Sequence, residues 1–314
     1  MSQSRCFQIL DIKDDFFKTF KLKSGPIIGS GLSGNVVLAS YLDQPQTKRA
    51  VKIFSYNGDS EIKSKKLFVR EVKMMQSVNH PNLMKLIMAV RCPKYLAICM
   101  PFYQKGSLSS LLCELTPSHL AVYLTQLTCA VSYLNIKRIV HSDIKPSNIL
   151  VDDKQNAILA DFGLAFSVPN ETEVISSDKV GGTPAFMAPE LLTLGNVDPF
   201  KLDVYSLGAV VWCILFQIEP KSTVTFDYLH ETNKSPDIPQ PYRWALTRML
   251  DPVPNKRIHI NILLSKLKDS RLCPAVMDSL TILMRLRELE DNQICRDGSF
   301  TGLLVGRAEV DLMK

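Results

Sequence analysis

The chain has 314 residues, an apolar fraction of 46% and a formal net charge of +6. At roughly 100–200 residues per domain, that is one large or two modest domains with a substantial core, and the mild basic balance does not by itself identify an acidic partner or a nucleic acid. Eight cysteines are scattered without a C-x-x-C pair, and the first twenty residues carry charges but no apolar run of signal length. Reduced thiols and a cytoplasmic location, with the nucleus as the alternative, are therefore expected. The most apolar run, Val204–Ile218, is interrupted by Ser206 and is shorter than the about 20 residues a spanning helix needs, so a buried helix is expected there and no membrane span.

Residues 1–20 read as an extension. Phe7, Ile9, Leu10, Phe16, Phe17 and Phe20 are available to dock on the body, with no secure period. From about 21 to 101 the pattern is strand-rich. Val36–Ala39 and Ala50–Phe54 read as strands, and Leu96–Met100 as another, closed by Pro101. Between them, residues 64–77 read as a helix, because Leu67, Glu71, Met74, Met75 and Val78 recur at helical spacing. From 106 onward helices dominate: Leu120–Leu134, with Ser118 and His119 near its start and Pro117 just before it, then Asp203–Phe216, 242–250 and 258–267. A further helix is expected beyond Pro274, to about Glu290.

Four motifs lie on this frame. Ile28-Gly29-Ser30-Gly31-Leu32-Ser33-Gly34-Asn35-Val36 is a G-x-G-x-x-G-x-V run between two strands. Glycines let such a turn lie over phosphates and present bare N–H groups, although a plain tight turn has the same composition. Lys52 ends Ala50-Val51-Lys52, and Glu71 follows nineteen residues later on the helix. His141-Ser142-Asp143-Ile144-Lys145-Pro146-Ser147-Asn148 is followed, thirteen residues past Asn148, by Asp161-Phe162-Gly163. Gly182-Thr183-Pro184-Ala185-Phe186-Met187-Ala188-Pro189-Glu190 completes the set.

In this order the motifs resemble those of eukaryotic-type protein kinases, over roughly residues 25–268. The resemblance implies an α+β, bilobal fold, with a β-rich N-lobe at about 21–101, a hinge at about 101–105 and a mainly helical C-lobe at about 106–272. Residues 1–20 and 273–314 would flank it, the latter partly helical. It implies ATP and Mg²⁺ as cofactors and protein substrates bearing Ser or Thr, since D-x-K-P-x-N is similar to the serine/threonine branch. By the same resemblance, Asp143 orients the acceptor hydroxyl and takes its proton, Lys145 neutralises the transferred phosphoryl, and Asn148 and Asp161 hold metal. Lys52 contacts the phosphates and pairs with Glu71. The glycine run, Val36, Ala50 and Leu150 enclose the nucleotide, Met100 is the gatekeeper, and Pro101 and Tyr103 supply hinge contacts. Thr183 shapes the pocket for the residue after the acceptor, Asp203 anchors the catalytic loop and Arg257 pairs with Glu190. Met75, Leu86, His141 and Phe162 fit a stacked spine and fit plain core packing equally. The Gly-Gly-Thr before the A-P-E motif is similar to the Mos-like kinases, and no subfamily is assigned.

The sequence departs from the family at Ser142, where most members carry an arginine that clamps a phosphate on the activation segment. Full activity is therefore expected without such a clamp, and Thr172, Ser176 and Ser177 remain as candidate phosphorylation sites. A catalytically silent scaffold and a small-molecule kinase are the competing readings. The first conflicts with the complete set Lys52, Glu71, Asp143, Lys145, Asn148 and Asp161, the second with the A-P-E-like segment. Ser107 and Ser147 occupy positions that are acidic in arginine-directed members, so a peptide array should show no dominant arginine upstream of the acceptor. A profile led by that arginine contradicts the reading.

Overall fold

Both faces of the first sheet are apolar, and the way each is covered explains how the chain begins. The computed structural model describes residues 9–31, 34–55, 61–169, 174–220, 227–234 and 238–269. Its N-terminal lobe contains β1 (Leu10–Asp11), the short helix α1 (Phe16–Thr19), β2 (Leu22–Gly31), β3 (Gly34–Tyr41), β4 (Lys48–Ser55), α2 (Glu61–Ser77), β5 (Met88–Arg91) and β6 (Tyr95–Pro101). The strand order is β1-β5-β6-β4-β3-β2, with β1 parallel to β5 and the remaining pairs antiparallel. The two-residue period of a strand sorts its side chains. Ala50 and Phe54 of β4, with Leu96, Ile98 and Met100 of β6, join Phe68 and Val72 of α2 in the main core. Val51, Ala97 and Cys99 point to a second, smaller core.

The segment before β2 closes that second core. Phe16 has no exposed surface, and its ring lies 5.4 Å from Phe17 and 5.0 Å from Phe20. Asp15 caps α1, accepting from Phe17 N at 2.9 Å, and accepts the Tyr95 hydroxyl at 2.7 Å. Phe16 N donates to Tyr95 Oη at 3.1 Å. Residues 9–20 thus pack on the N-lobe, as their phenylalanines allowed. The helix α2 starts at Glu61 rather than 64. Its first turn is exposed and held by a Glu61–Lys65 pair at 2.8 Å, so it carries no apolar period to read.

The C-terminal lobe contains α3 (Leu108–Leu111), α4 (Pro117–Ile136), β7 (Ile139–Val140), β8 (Ile149–Val151), β9 (Ala157–Leu159), β10 (Phe166–Ser167), β11 (Ile175–Ser176), β12 (Asn196–Val197), α5 (Pro199–Phe216), α6 (Tyr228–Asn233), α7 (Gln240–Met249) and α8 (Ile260–Asp269). Proline at the first helical position is favourable, and both long helices begin there, earlier than their apolar runs suggest. Thr116 caps α4, and Asp198 caps α5 by accepting from Phe200 N at 3.0 Å. By length and composition α5 is apolar enough to cross a membrane. Every residue from Leu202 to Ile214 is buried inside the lobe, however, so core packing accounts for its composition. The ladders β7–β10, β8–β9 and β11–β12 have two or three residues per strand, too few to leave a pattern in the sequence. The helix expected beyond Pro274 lies outside the described residues.

Arg257 locks the base of this lobe. Its guanidinium is buried and donates to Glu190 Oε1 at 2.6 Å and Oε2 at 2.9 Å, to Asp251 O at 3.0 Å and to Lys201 O at 2.9 Å. The Arg257–Glu190 pair therefore forms as the family resemblance implied. In the other lobe, truncating Phe16 to alanine is expected to cost about 3 kcal/mol by opening a cavity in the second core. Denaturant unfolding checks this, and an unchanged midpoint would show that residues 9–20 rest on the sheet without stabilising it.

Candidate active site

The glycine-rich run forms the turn between β2 and β3. Ser30 pairs with Asn35 and Gly31 with Gly34, while Leu32 and Ser33 at the tip lie outside the described residues. Gly34 has φ 141°, and a Cβ there would sit 2.1 Å from Ile53 O, so only glycine fits. Ile28 is exposed beside Gly29. Ala50 and Met100 are in the main core, and Val36, Tyr103 and Leu150 pack against it. Ala50 lies opposite Met100 and Val36 opposite Lys52, whose bond to Asp161 marks the junction of the lobes. Residues 102–107 connect β6 to α3, and Ser107 bridges to Leu150. Pro101 ends β6 opposite Arg49.

Lys52 is drawn into that junction by two carboxylates. Its Nζ donates to Glu71 Oε1 and Oε2, both at 2.8 Å, and to Asp161 Oδ1 at 2.9 Å. Lys52 is 5% exposed and Glu71 1%. Glu71 reaches inward because Phe68, Val72 and Met75, on the same face of α2, are buried. Burial disfavours the Lys52 ammonium, but Glu71 and Asp161 outweigh it and hold its pKa above the ordinary lysine value. Burial pushes the Glu71 carboxyl up to about 7, against the pull of Lys52. Burial also acts to raise Asp161, yet Lys52 and the Gly163 N–H together keep that carboxyl below its usual range.

The catalytic loop is held from beneath. Asp203 on α5 accepts from His141 N at 2.7 Å and from Ser142 N at 2.9 Å. Burial raises the Asp203 carboxyl, and His141 with these two N–H groups opposes the rise. His141 Nε2 lies 3.1 Å from Ala160 O and Nδ1 accepts from Asp143 N at 3.4 Å, which places the ring proton on Nε2. The His141 ring is 5.1 Å from that of Phe162; Met75 and Phe162 lie in the main core, with Leu86 against it.

At the top of the loop four side chains converge. The Thr183 hydroxyl donates to Asp143 Oδ1 at 2.7 Å and accepts from Lys145 Nζ at 2.6 Å. Lys145 Nζ is 2.9 Å from Asp143 Oδ2, and Asn148 Nδ2 donates to the same oxygen at 2.9 Å and to Asp143 O at 2.8 Å. Asp161 takes the left-handed conformation, φ 62°, with Oδ1 accepting from Gly163 N at 3.3 Å.

Two further contacts had no sequence signal. Arg70 donates from Nε to Ala165 O at 2.9 Å and from Nη2 to Leu164 O; in sequence it is an ordinary charge on an amphipathic helix. The Ser142 hydroxyl donates to Gly181 O at 2.6 Å. Of the candidate phosphorylation sites, Thr172 lies outside the described residues. Ser176 is half-buried and donates to Asp178 Oδ1. Ser177 is buried, its hydroxyl donating to Thr193 O at 2.9 Å.

The protein kinase domain family matches residues 22–268. The chain is 32% identical over 252 residues to the mitogen-activated protein kinase kinase kinase ANP1 of Arabidopsis thaliana, covering 75% of this chain and 38% of that protein. It is 28% identical over 249 residues to the CBL-interacting serine/threonine-protein kinase 24 of the same plant, covering 76% and 55% respectively. To the probable serine/threonine-protein kinase MARK-A of Dictyostelium discoideum it is 29% identical over 193 residues, 60% of this chain and 18% of that protein. The match thus spans about half or less of these relatives. With the family match extending over most of its length, the chain belongs to the protein kinase family.

Proposed function

We propose that this chain is an active serine/threonine protein kinase, moving the γ-phosphate of ATP onto Ser or Thr hydroxyls of protein substrates. The Thr183 hydroxyl held between Asp143 and Lys145, at 2.7 and 2.6 Å, is the observation that carries this reading. It marks a spot where a hydroxyl meets both a base and a cation. On the nucleotide side, Lys52 supplies a second cation beside Asp161 at 2.9 Å. Asp143 orients the acceptor hydroxyl and takes its proton as the oxygen bonds to the γ-phosphorus and the bond from that phosphorus to the leaving ADP oxygen breaks. Lys145 neutralises the phosphoryl in flight, and Lys52 holds the α- and β-phosphates. Fixed charges of this kind supply most of the acceleration in phosphoryl transfer.

The residues present suit Mg²⁺. Asn148 uses its amide nitrogen on Asp143, and Asp161 uses Oδ1 on Lys52 and Gly163. The Asn148 amide oxygen and Asp161 Oδ2 take no part in those bonds, and hard oxygens of this type suit the ion. Among the described residues there is no cluster of three His, Cys, Asp or Glu able to hold a metal, so phosphate oxygens and water would complete the shell. When bound, Mg²⁺ offsets the negative charge of the phosphates. Among the described residues Cys92, Cys99, Cys113 and Cys213 are free thiols, which supports a reducing compartment, the cytoplasm or the nucleus.

Asp143→Asn should lower radiolabel transfer to a protein substrate by about 10²–10⁴-fold, and Asp161→Ala should abolish it, with thermal unfolding recorded alongside. Transfer persisting in both variants would leave the scaffold reading standing. Glu71 yields a separate expectation. Its folded pKa of about 7 exceeds the ordinary 4.5, so its contribution to stability is greatest below 4.5, falls as pH rises toward 7, and the full penalty applies above that. The ionised pair with Lys52 runs the other way, complete above about pH 7 and lost as the pH falls. Glu71→Gln should therefore reduce kcat/KM at pH 8 by at least about tenfold, equivalent to about 1.4 kcal/mol, while leaving the fold no less stable. The decline in activity between pH 8 and pH 6 should flatten in the same variant. A steep loss of stability at pH 8, or a pH profile unchanged by the substitution, contradicts this account.

A further inference from the structure

Between the catalytic loop and the activation segment lies a neutral hydrogen bond that no part of the reaction scheme above uses. Ser142 adopts φ 70°, in the left-handed region that a non-glycine residue occupies only when its surroundings hold it there. Asp203 does so, taking both the His141 and Ser142 N–H groups. The Ser142 side chain, 9% exposed, then donates to Gly181 O at 2.6 Å. One residue on, a Cβ at Gly182 would meet Ser142 O and Met187 Cγ, each at 3.0 Å. Glycine at 182 lets the two backbones close, and the serine hydroxyl fastens them. Thr183 follows immediately, with its hydroxyl on Asp143 and Lys145. Other attachments of the segment also end on main-chain carbonyls: Arg70 on those of Leu164 and Ala165, and Ser177 on that of Thr193.

We propose that Ser142 is a positioning residue, whose hydroxyl on the Gly181 carbonyl fixes Thr183 against Asp143 and Lys145 and so sets the acceptor side of the cleft without any phosphate on the activation segment. This rests on the reading of Asp143 as the base. A charged clamp needs its phosphate before it can hold anything; a hydroxyl and a carbonyl are paired as soon as the chain folds. The bond joins a residue next to the base to one two positions before Thr183, so its loss shifts the acceptor site and leaves the nucleotide contacts of Lys52 in place.

The test compares phosphatase-treated parent protein with Ser142→Gly, Ser142→Ala and Asp143→Asn. Glycine relieves the left-handed backbone while removing the hydroxyl, so it separates positioning from folding. Ser142→Gly should melt no lower than the parent and bind ATP·Mg²⁺ with the same Kd, while its kcat on a protein substrate falls at least about tenfold, in line with the sensitivity of such reactions to small misplacements. Ser142→Ala should fall at least as far. Treated parent protein should keep its activity. A Ser142→Gly enzyme with parental kcat, or a parent silenced by phosphatase, overturns the proposal while Asp143→Asn remains inactive. If Asp143→Asn is itself active, the assignment of the base fails and this inference fails with it.

Discussion

Asp203 is a carboxylate with no solvent contact on the most apolar of the described helices, and the candidate active site depends on it. Burying a charge in such a place is costly unless hydrogen bonds replace the lost water. Two main-chain N–H groups do so, and both belong to the loop that carries Asp143, Lys145 and Asn148. The loop thus takes its position from α5, which is rigid because it is surrounded by core, rather than from its own sequence. The bonds that gather Thr183, Lys145 and Asn148 around Asp143 are made possible by that placement. Removing the carboxylate would leave two buried donors without a partner and a left-handed residue without its restraint.

Much of this was legible in the order of residues because the chemistry is local. Asp143, Lys145 and Asn148 lie within six residues of one another, so little chain separates them once Asp203 holds the loop. Lys52 and Glu71 are nineteen residues apart in sequence, but each sits on an element with a clear period, so the inward face of each could be read. The hydroxyl of Ser142 and the guanidinium of Arg70 were not legible as contacts. Both act on main-chain carbonyls of distant residues, and a carbonyl has no residue identity to detect. Ser177 was open as a phosphate acceptor in sequence because hydroxyls look alike there; only the packing of β11 against β12 and the Thr193 carbonyl reveals that it is enclosed.

Element starts differ from the apolar pattern for a related reason. Apolar periodicity finds where a helix is buried, whereas the first turns of α4 and α5 are set by capping groups and prolines, and that of α2 carries an exposed ion pair. The dipeptide and tripeptide ladders of the C-terminal lobe carry no period at all. The packing of residues 9–20 was hinted at by their phenylalanines, but its reason lay elsewhere in the chain, in the alternate residues of β4 and β6 that need cover on the far side of the sheet.

That two-sided sheet has a further consequence. In a strand with one wet face, sliding by a single residue is punished at every position, because the greasy set is turned outward. β4 lacks that safeguard: Ala50 and Val51 are both buried, on opposite sides. What distinguishes the correct alignment from its neighbour is Lys52, a buried charge whose carboxylate partners exist on one side only. Lys52 therefore serves as the alignment key of its own strand, and the proposed hold on the phosphates would draw on the same ammonium group that sets the register.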